Sequence, residues 1–95
     1  MRIGVGELMD IRPDTALADD IQAMATKVDG ARHVEKVLIR KMGPRLYVDL
    51  HLEVDPSLTV RKAHDIAHTL KDTIMTGRRE VADVLVHVEP HVERG

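Results

Sequence analysis

The stretch Leu46-Tyr47-Val48-Asp49-Leu50-His51-Leu52-Glu53-Val54-Asp55 alternates apolar and polar residues over ten consecutive positions. Successive side chains of a β-strand point to opposite faces of the sheet, so this alternation predicts a strand with one buried face and one polar face. The polar face carries Asp49 and His51, two residue types that bind divalent metal ions.

A second segment near the C-terminus has the same character. In a strand from about Val81 to Glu89, the valines at 84, 86 and 88 point one way, whereas Asp83, Leu85, His87 and Glu89 point the other. Imidazole and carboxylate groups together suit zinc, iron or manganese. His91 continues this spacing, but it follows Pro90 close to the chain end, so we interpret it as a tail residue.

Two helices and a further strand complete the pattern. One helix is predicted after a cap at Asp14 and ends at Gly30, and the second is capped by Ser57 or Thr59 and ends near Thr76. A run rich in Val, Leu and Ile over residues 34–41 predicts the first strand, and Gly43-Pro44 predicts a turn. The buried stripes are expected to be Leu17, Ile21, Met24, Ala25 and Val28 in the first helix and Val60, Ala63, Ala67, Leu70 and Ile74 in the second.

The order of elements is therefore α-β-β-α-β, an α+β fold. We divide the chain into a linker at 1–13, a domain at 14–91 and a tail at 92–95. A strand-helix-strand connection is right-handed and leaves its two strands parallel. If these strands are neighbours, a three-stranded mixed sheet has both helices on its apolar face. Its polar face, with Asp49, His51, His87 and Glu89, is then open as solvent surface or as a binding and dimerisation surface.

The composition excludes several functions. The 95 residues include no cysteine and only one aromatic residue, Tyr47, among Phe, Trp and Tyr. The net charge of the chain is −2. Thiolate metal sites are impossible, and a nucleic-acid surface that stacks bases or neutralises phosphates is not expected. No run approaches the roughly 18 apolar residues of a membrane span, so the chain as given is expected to be soluble. Neither a nucleophile constellation nor a phosphate loop is present. A small metallohydrolase with a His/Asp site remains a weaker alternative.

Seven short segments, in order, resemble the cytoplasmic C-terminal domain of a cation diffusion facilitator, a divalent-metal/proton antiporter. They are Leu8-Met9-Asp10 with Pro13, Val28-Asp29-Gly30, Arg40 followed by Gly43, Val48-Asp49-Leu50-His51-Leu52, Val54-Asp55-Pro56, Ser57-Leu58 ahead of Ala63-His64, and Val86-His87-Val88-Glu89-Pro90. Together they cover nearly the whole chain.

This resemblance implies a metallochaperone-like (ferredoxin-like) fold that forms a V-shaped homodimer on the cytoplasmic side of a membrane, attached to its own transmembrane domain. Metal bound at the dimer interface would draw the two domains together and promote efflux. A free-standing metal chaperone or buffer of the same fold is the alternative. Either would be a binding protein rather than an enzyme.

The resemblance also implies the ligands. His51, His64, His87 and Glu89 match a binuclear-type site, whereas in the magnetosome-associated branch Asp49 and His87 match a central site and His64 a peripheral one. Glu35 aligns where many zinc-transporting members have a histidine, and a carboxylate there would favour iron or manganese. Whether His33, His68 or His91 also binds metal stays open.

Overall fold

The computed structural model describes residues 10–12 and 15–93 of the chain. The elements are β1 (Asp10–Arg12), α1 (Thr15–Ala25), β2 (His33–Met42), β3 (Arg45–Val54), α2 (Val60–Gly77) and β4 (Val81–Pro90). The predicted α+β class and the α-β-β-α-β order are confirmed. The short strand β1 lies in the segment that we interpreted as a linker. The predicted cap at Asp14 falls outside the described residues.

The sheet has the order β1-β2-β3-β4. β2 pairs antiparallel with β1 and with β3, whereas β3 and β4 are parallel neighbours. The sheet is therefore mixed, and the predicted parallel pairing of the last two strands is confirmed. The register places His51 directly beside His87 and Glu53 beside Glu89, so the polar residues of the two strands lie in adjacent rows.

A β-bulge in β2 keeps both ends of that strand in phase with the core. Val34 and Ile39 are both buried although they are five residues apart, and one extra residue lies between the pairs Glu35–His51 and Leu38–Asp49. Lys36 takes φ 54°, a left-handed conformation that costs a non-glycine residue about 1–2 kcal/mol. The bulge leaves Glu35 opposite His51 on the polar face.

The core lies between the apolar face of the sheet and the two helices. Its fully buried side chains include Leu17, Ile21, Leu50, Leu52, Leu70 and Ile74. In α2 the buried stripe is Ile66, Leu70 and Ile74, whereas Val60 is 87% exposed. The prediction for Val60 was wrong because this residue is the first of the helix, and the first turn extends beyond the core.

Polar contacts fix the start of α2 and connect its side to β4. Thr59 caps it by accepting a hydrogen bond from the Lys62 N–H at 3.1 Å. Ser57 instead donates its backbone N–H and its hydroxyl to Asp55, and these hydrogen bonds lower the pKa of the Asp55 carboxyl.

Further along the helix, the Lys71 ammonium lies 3.0 Å from the Asp83 carboxylate of β4. The hydrogen bond from Lys71 lowers the pKa of Asp83. Asp83 thus contacts α2. The alternation of side chains had predicted instead that Asp83 would lie on the polar face with His87.

Gly30 makes a testable contact between the α1–β2 connection and α2. It has φ +93°, and a Cβ atom there would lie 2.5 Å from Ile66 Cδ1. We expect Gly30→Ala to lower the free energy of unfolding by about 2–4 kcal/mol, because backbone strain and overpacking add. Urea denaturation measures this loss.

Gly43→Ala is the matched control, since Gly43 has φ +62° but a Cβ there meets no heavy atom within 4 Å in the described part of the chain. It should show the backbone cost alone. In an Ile66→Val background, which removes the clashing methyl group, the cost of Gly30→Ala should shrink. Equal losses for the two glycines would show that the contact with Ile66 is unimportant.

Candidate metal site

The sheet face opposite the helices carries an array of imidazoles and carboxylates. Cross-strand pairing of β2, β3 and β4 places them in two neighbouring rows, the first being Glu35, His51 and His87 and the second His33, Glu53 and Glu89. We call these six residues the histidine–glutamate face. Each row contains one residue from each strand, because its members pair across the strands. The two rows are on the same face because residues two apart in a strand point the same way.

His51 contacts both His87 and Glu89 on this face. The rings of His51 and His87 are stacked, with centroids 4.8 Å apart and an interplanar angle of 21°. His51 Nδ1 contacts a carboxylate oxygen of Glu89. The side chains of His51 and Glu89 are 27% and 33% exposed, so an ion can reach them from solvent. The structure thus brings together three of the residues proposed from the sequence as ligands.

Asp49 lies on the same face but in a different environment. Its two carboxylate oxygens accept hydrogen bonds from the Arg40 guanidinium at 3.2 and 3.0 Å. Its neighbour on β4 is Leu85 rather than a histidine. A bidentate guanidinium–carboxylate pair is among the stronger polar contacts in proteins. The Arg40 guanidinium therefore competes with a metal ion for the Asp49 carboxylate.

His64 lies on the other side of the sheet. It is exposed on α2, its ring is stacked against His68 with centroids 6.1 Å apart, and it borders a shallow cleft with Val84, Val86 and Val88 of β4. Within one chain, β4 separates His64 from the histidine–glutamate face. His64 can join His51 and His87 only through contact between two molecules.

Glu35 belongs to a second group at the end of the face. One ligand atom each from His33, Glu35 and Glu53 lie within 4.8 Å of one another. Glu53 is 2% exposed, and one of its oxygens lies 2.9 Å from His91 Nδ1. The interpretation of His91 as a tail residue was wrong, since its side chain is 17% exposed and its backbone N–H donates to the Val54 carbonyl at 2.7 Å.

Sequence reasoning did not name Glu53 as a site residue, and it left open whether His91 binds metal. The spacing that identified His51 and His87 also covers them, since Glu53 follows His51 by two residues and His91 follows Glu89 by two. The spacing did not reveal their burial.

The part of the chain at 10–12 and 15–93 has no helix that is both long and apolar enough to cross a membrane.

Comparison with known proteins identifies the class of protein that this fold and face define. Residues 13–91 match the family described as the cytoplasmic domain of cation efflux proteins. The chain therefore belongs to this family, and the resemblance noted in the sequence is confirmed.

Curated relatives agree with this assignment. Metal tolerance protein 2 of Oryza sativa subsp. japonica is 38% identical over 82 residues, covering 86% of this chain and 21% of the rice protein. The manganese efflux system protein MneP of Bacillus subtilis (strain 168) is 29% identical over 93 residues, covering 98% of this chain and 31% of MneP. The chain thus spans between a fifth and a third of the length of these relatives.

Solved structures match the fold. The manganese form of a MamM CTD variant has a TM-score of 0.77 and 26% identity, and the match covers 81% of this chain and 98% of that one. The zinc form of another MamM CTD variant has a TM-score of 0.78 and 26% identity, covering 82% and 86%. These matches confirm the two-helix, mixed-sheet architecture.

Proposed function

We propose that this domain is the metal-sensing cytoplasmic part of a divalent-cation efflux transporter. Metal bound between two copies of the chain draws them together and promotes transport by the attached transmembrane domain. The observation that carries the proposal is the contact of His51 with both His87 and Glu89 on an accessible sheet face opposite the helices.

The incomplete ligand set supports a site shared between two copies. His51, His87 and Glu89 provide three donors, whereas a closed zinc site has four. A second copy can supply the missing donor, and the exposed His64 of that copy is our candidate. The same face carries the exposed apolar side chains of Leu85 and Met42, which are 54% and 49% exposed. Apolar surface beside a ligand cluster favours association of two chains.

The donor types suggest the cation. Two imidazoles and one carboxylate suit zinc, and they also accept manganese and iron. MneP is described as a manganese efflux system protein, and the MamM CTD structures include manganese and zinc forms. These descriptions support zinc, manganese or iron as the ion bound by this domain. The Arg40 contact makes Asp49 a secondary ligand in our proposal, in contrast to an arrangement centred on Asp49 and His87.

The alternative functions are less well supported. A free-standing metal buffer needs no attached domain, but the relatives are three to five times longer than the matched segment, which favours a transporter. A metallohydrolase binds its substrate in a cleft beside the metal, whereas the proposed ligands lie on a partly exposed sheet face. We therefore propose a binding role without catalysis.

Small-angle scattering and sedimentation of the chain, with and without zinc or manganese, test this proposal. We expect metal to increase the dimer fraction or reduce the radius of gyration of the dimer. The double variant His51→Ala/His87→Ala should not respond, whereas Asp19→Ala, which removes an exposed carboxylate from α1, should respond as the wild type does. Unchanged scattering at saturating metal would refute metal-driven association.

A further inference from the structure

We infer that each chain contains a second divalent-cation site, formed within a single copy by His33, Glu35 and Glu53. It shares no ligand with the proposed His51–His87–Glu89 site, and it needs no second copy. His33 and Glu53 are not among the ligands that the family resemblance implies.

The geometry of these three residues suits coordination. One ligand atom of each lies within 4.8 Å of the other two, and His33 Nε2 is 3.6 Å from Glu35 Oε1. Ligands bound to a metal at about 2.0–2.2 Å lie within about 4.4 Å of one another. Side-chain movements of less than an ångström would therefore bring all three ligand atoms within bonding distance of one metal ion. The backbone already holds them in place, because His33 pairs directly with Glu53 across β2 and β3.

The electrostatic environment favours a cation. Glu53 is 2% exposed, and a buried carboxylate is costly unless positive charge or hydrogen bonds compensate it. Glu35 lies in the adjacent row, and Glu89 is the β4 neighbour of Glu53. A divalent cation between Glu35 and Glu53 would relieve the repulsion between these carboxylates.

His91 acts as a positioning residue for this site. Its Nδ1 lies 2.9 Å from Glu53 Oε1, and its backbone is tied to the Val54 carbonyl. When Nδ1 carries a proton, it donates to Glu53 and orients the carboxylate. Hydrogen bonds of this kind to ligating carboxylates commonly change metal affinity by about 10–100-fold.

The ligand set also predicts a preference among cations. One imidazole and two carboxylates are harder than the two imidazoles and one carboxylate of the first site. Manganese or ferrous iron should therefore favour the His33–Glu35–Glu53 site, and zinc should favour the His51–His87–Glu89 site.

Counting bound Mn²⁺ by electron paramagnetic resonance, with the 95-residue chain, tests the inference. We expect His33→Ala and the double variant His51→Ala/His87→Ala each to lose one ion per chain relative to the wild type. Combining all three substitutions should abolish specific binding. His33 is an exposed residue with a side-chain accessibility of 43%, so its variant should fold. Glu53→Gln, which keeps the shape of the side chain, provides a second variant, and Asp19→Ala, at an exposed position of α1, is the control.

The outcomes separate the two proposals. If His33→Ala and Glu53→Gln bind as many ions as the wild type, the second site does not exist, whereas the first stands if His51→Ala/His87→Ala loses its ion. If the latter variant loses nothing, the proposed function fails instead. His91→Ala should weaken Mn²⁺ binding at the His33–Glu35–Glu53 site by about 10–100-fold without changing the number of ions bound at saturation. His91→Gln, which retains a hydrogen-bond donor, should recover part of the lost affinity. No change in His91→Ala would overturn the positioning role.

Discussion

Saturating zinc should raise the melting temperature of the chain by about 10–20 °C. A ligand at 100 times its Kd stabilises the native state by about 2.7 kcal/mol. In a domain of this size, each kcal/mol shifts the melting temperature by roughly 4–8 °C. The His51→Ala/His87→Ala double variant should lose at least half of the increase, because it removes two of the three donors of the first site. The residual shift should disappear when His33→Ala is added.

Thermal unfolding followed by circular dichroism measures these shifts, with a chelator in the reference sample. Asp19→Ala should behave as the wild type, since Asp19 is an exposed carboxylate on α1, on the helical side of the sheet. The zinc-dependent shift should also shrink as the pH falls below about 6, because protons compete with metal for imidazoles. An undiminished shift in the double variant would exclude His51 and His87 as ligands.

Leu50→Ala should reduce the free energy of unfolding by about 2–5 kcal/mol, since it leaves a cavity in a packed core. Leu50 is fully buried on the central strand β3, between β2 and β4. A loss of this size is a large fraction of the roughly 5–15 kcal/mol that stabilises a typical domain. Urea denaturation at constant m-value measures it.

Val60→Ala is the matched control for Leu50→Ala. Val60 also belongs to an apolar stripe in the sequence, but it is 87% exposed. Its truncation should change the unfolding free energy by no more than about 0.5 kcal/mol. Similar losses at the two positions would mean that the first turn of α2 packs against the core after all.

The polar face could be predicted because its information is local. The alternation over residues 46–55 assigns Leu50 and His51 to opposite faces, and a right-handed crossover then makes β3 and β4 parallel. These two rules place His51 and His87 on the same face of the sheet, whereas their direct pairing depends on the strand register. The bulge at Lys36 was not predictable in the same way. It depends on keeping both Val34 and Ile39 in the core, a requirement that arises only after β2 pairs with β3.

The candidate site shows the same division. His51, His87 and Glu89 were proposed from spacing and resemblance, and the structure brings them together. The engagement of Asp49 by Arg40 was missed because the two residues are nine positions apart in the sequence and meet only across the β2–β3 pair.

By itself, the sequence determined the two helices, the strands β2 to β4, their order and the faces of the β3 residues, since these follow from side-chain periodicity and turn residues. Only the tertiary structure decided which residues of that face meet. Strand register and the bulge set the rows, burial of Glu53 depends on neighbours from two other strands, and His64 is separated from His51 and His87 by the sheet itself. The physical reason is that periodicity is a property of consecutive residues, whereas coordination and burial depend on distances between residues far apart in the chain.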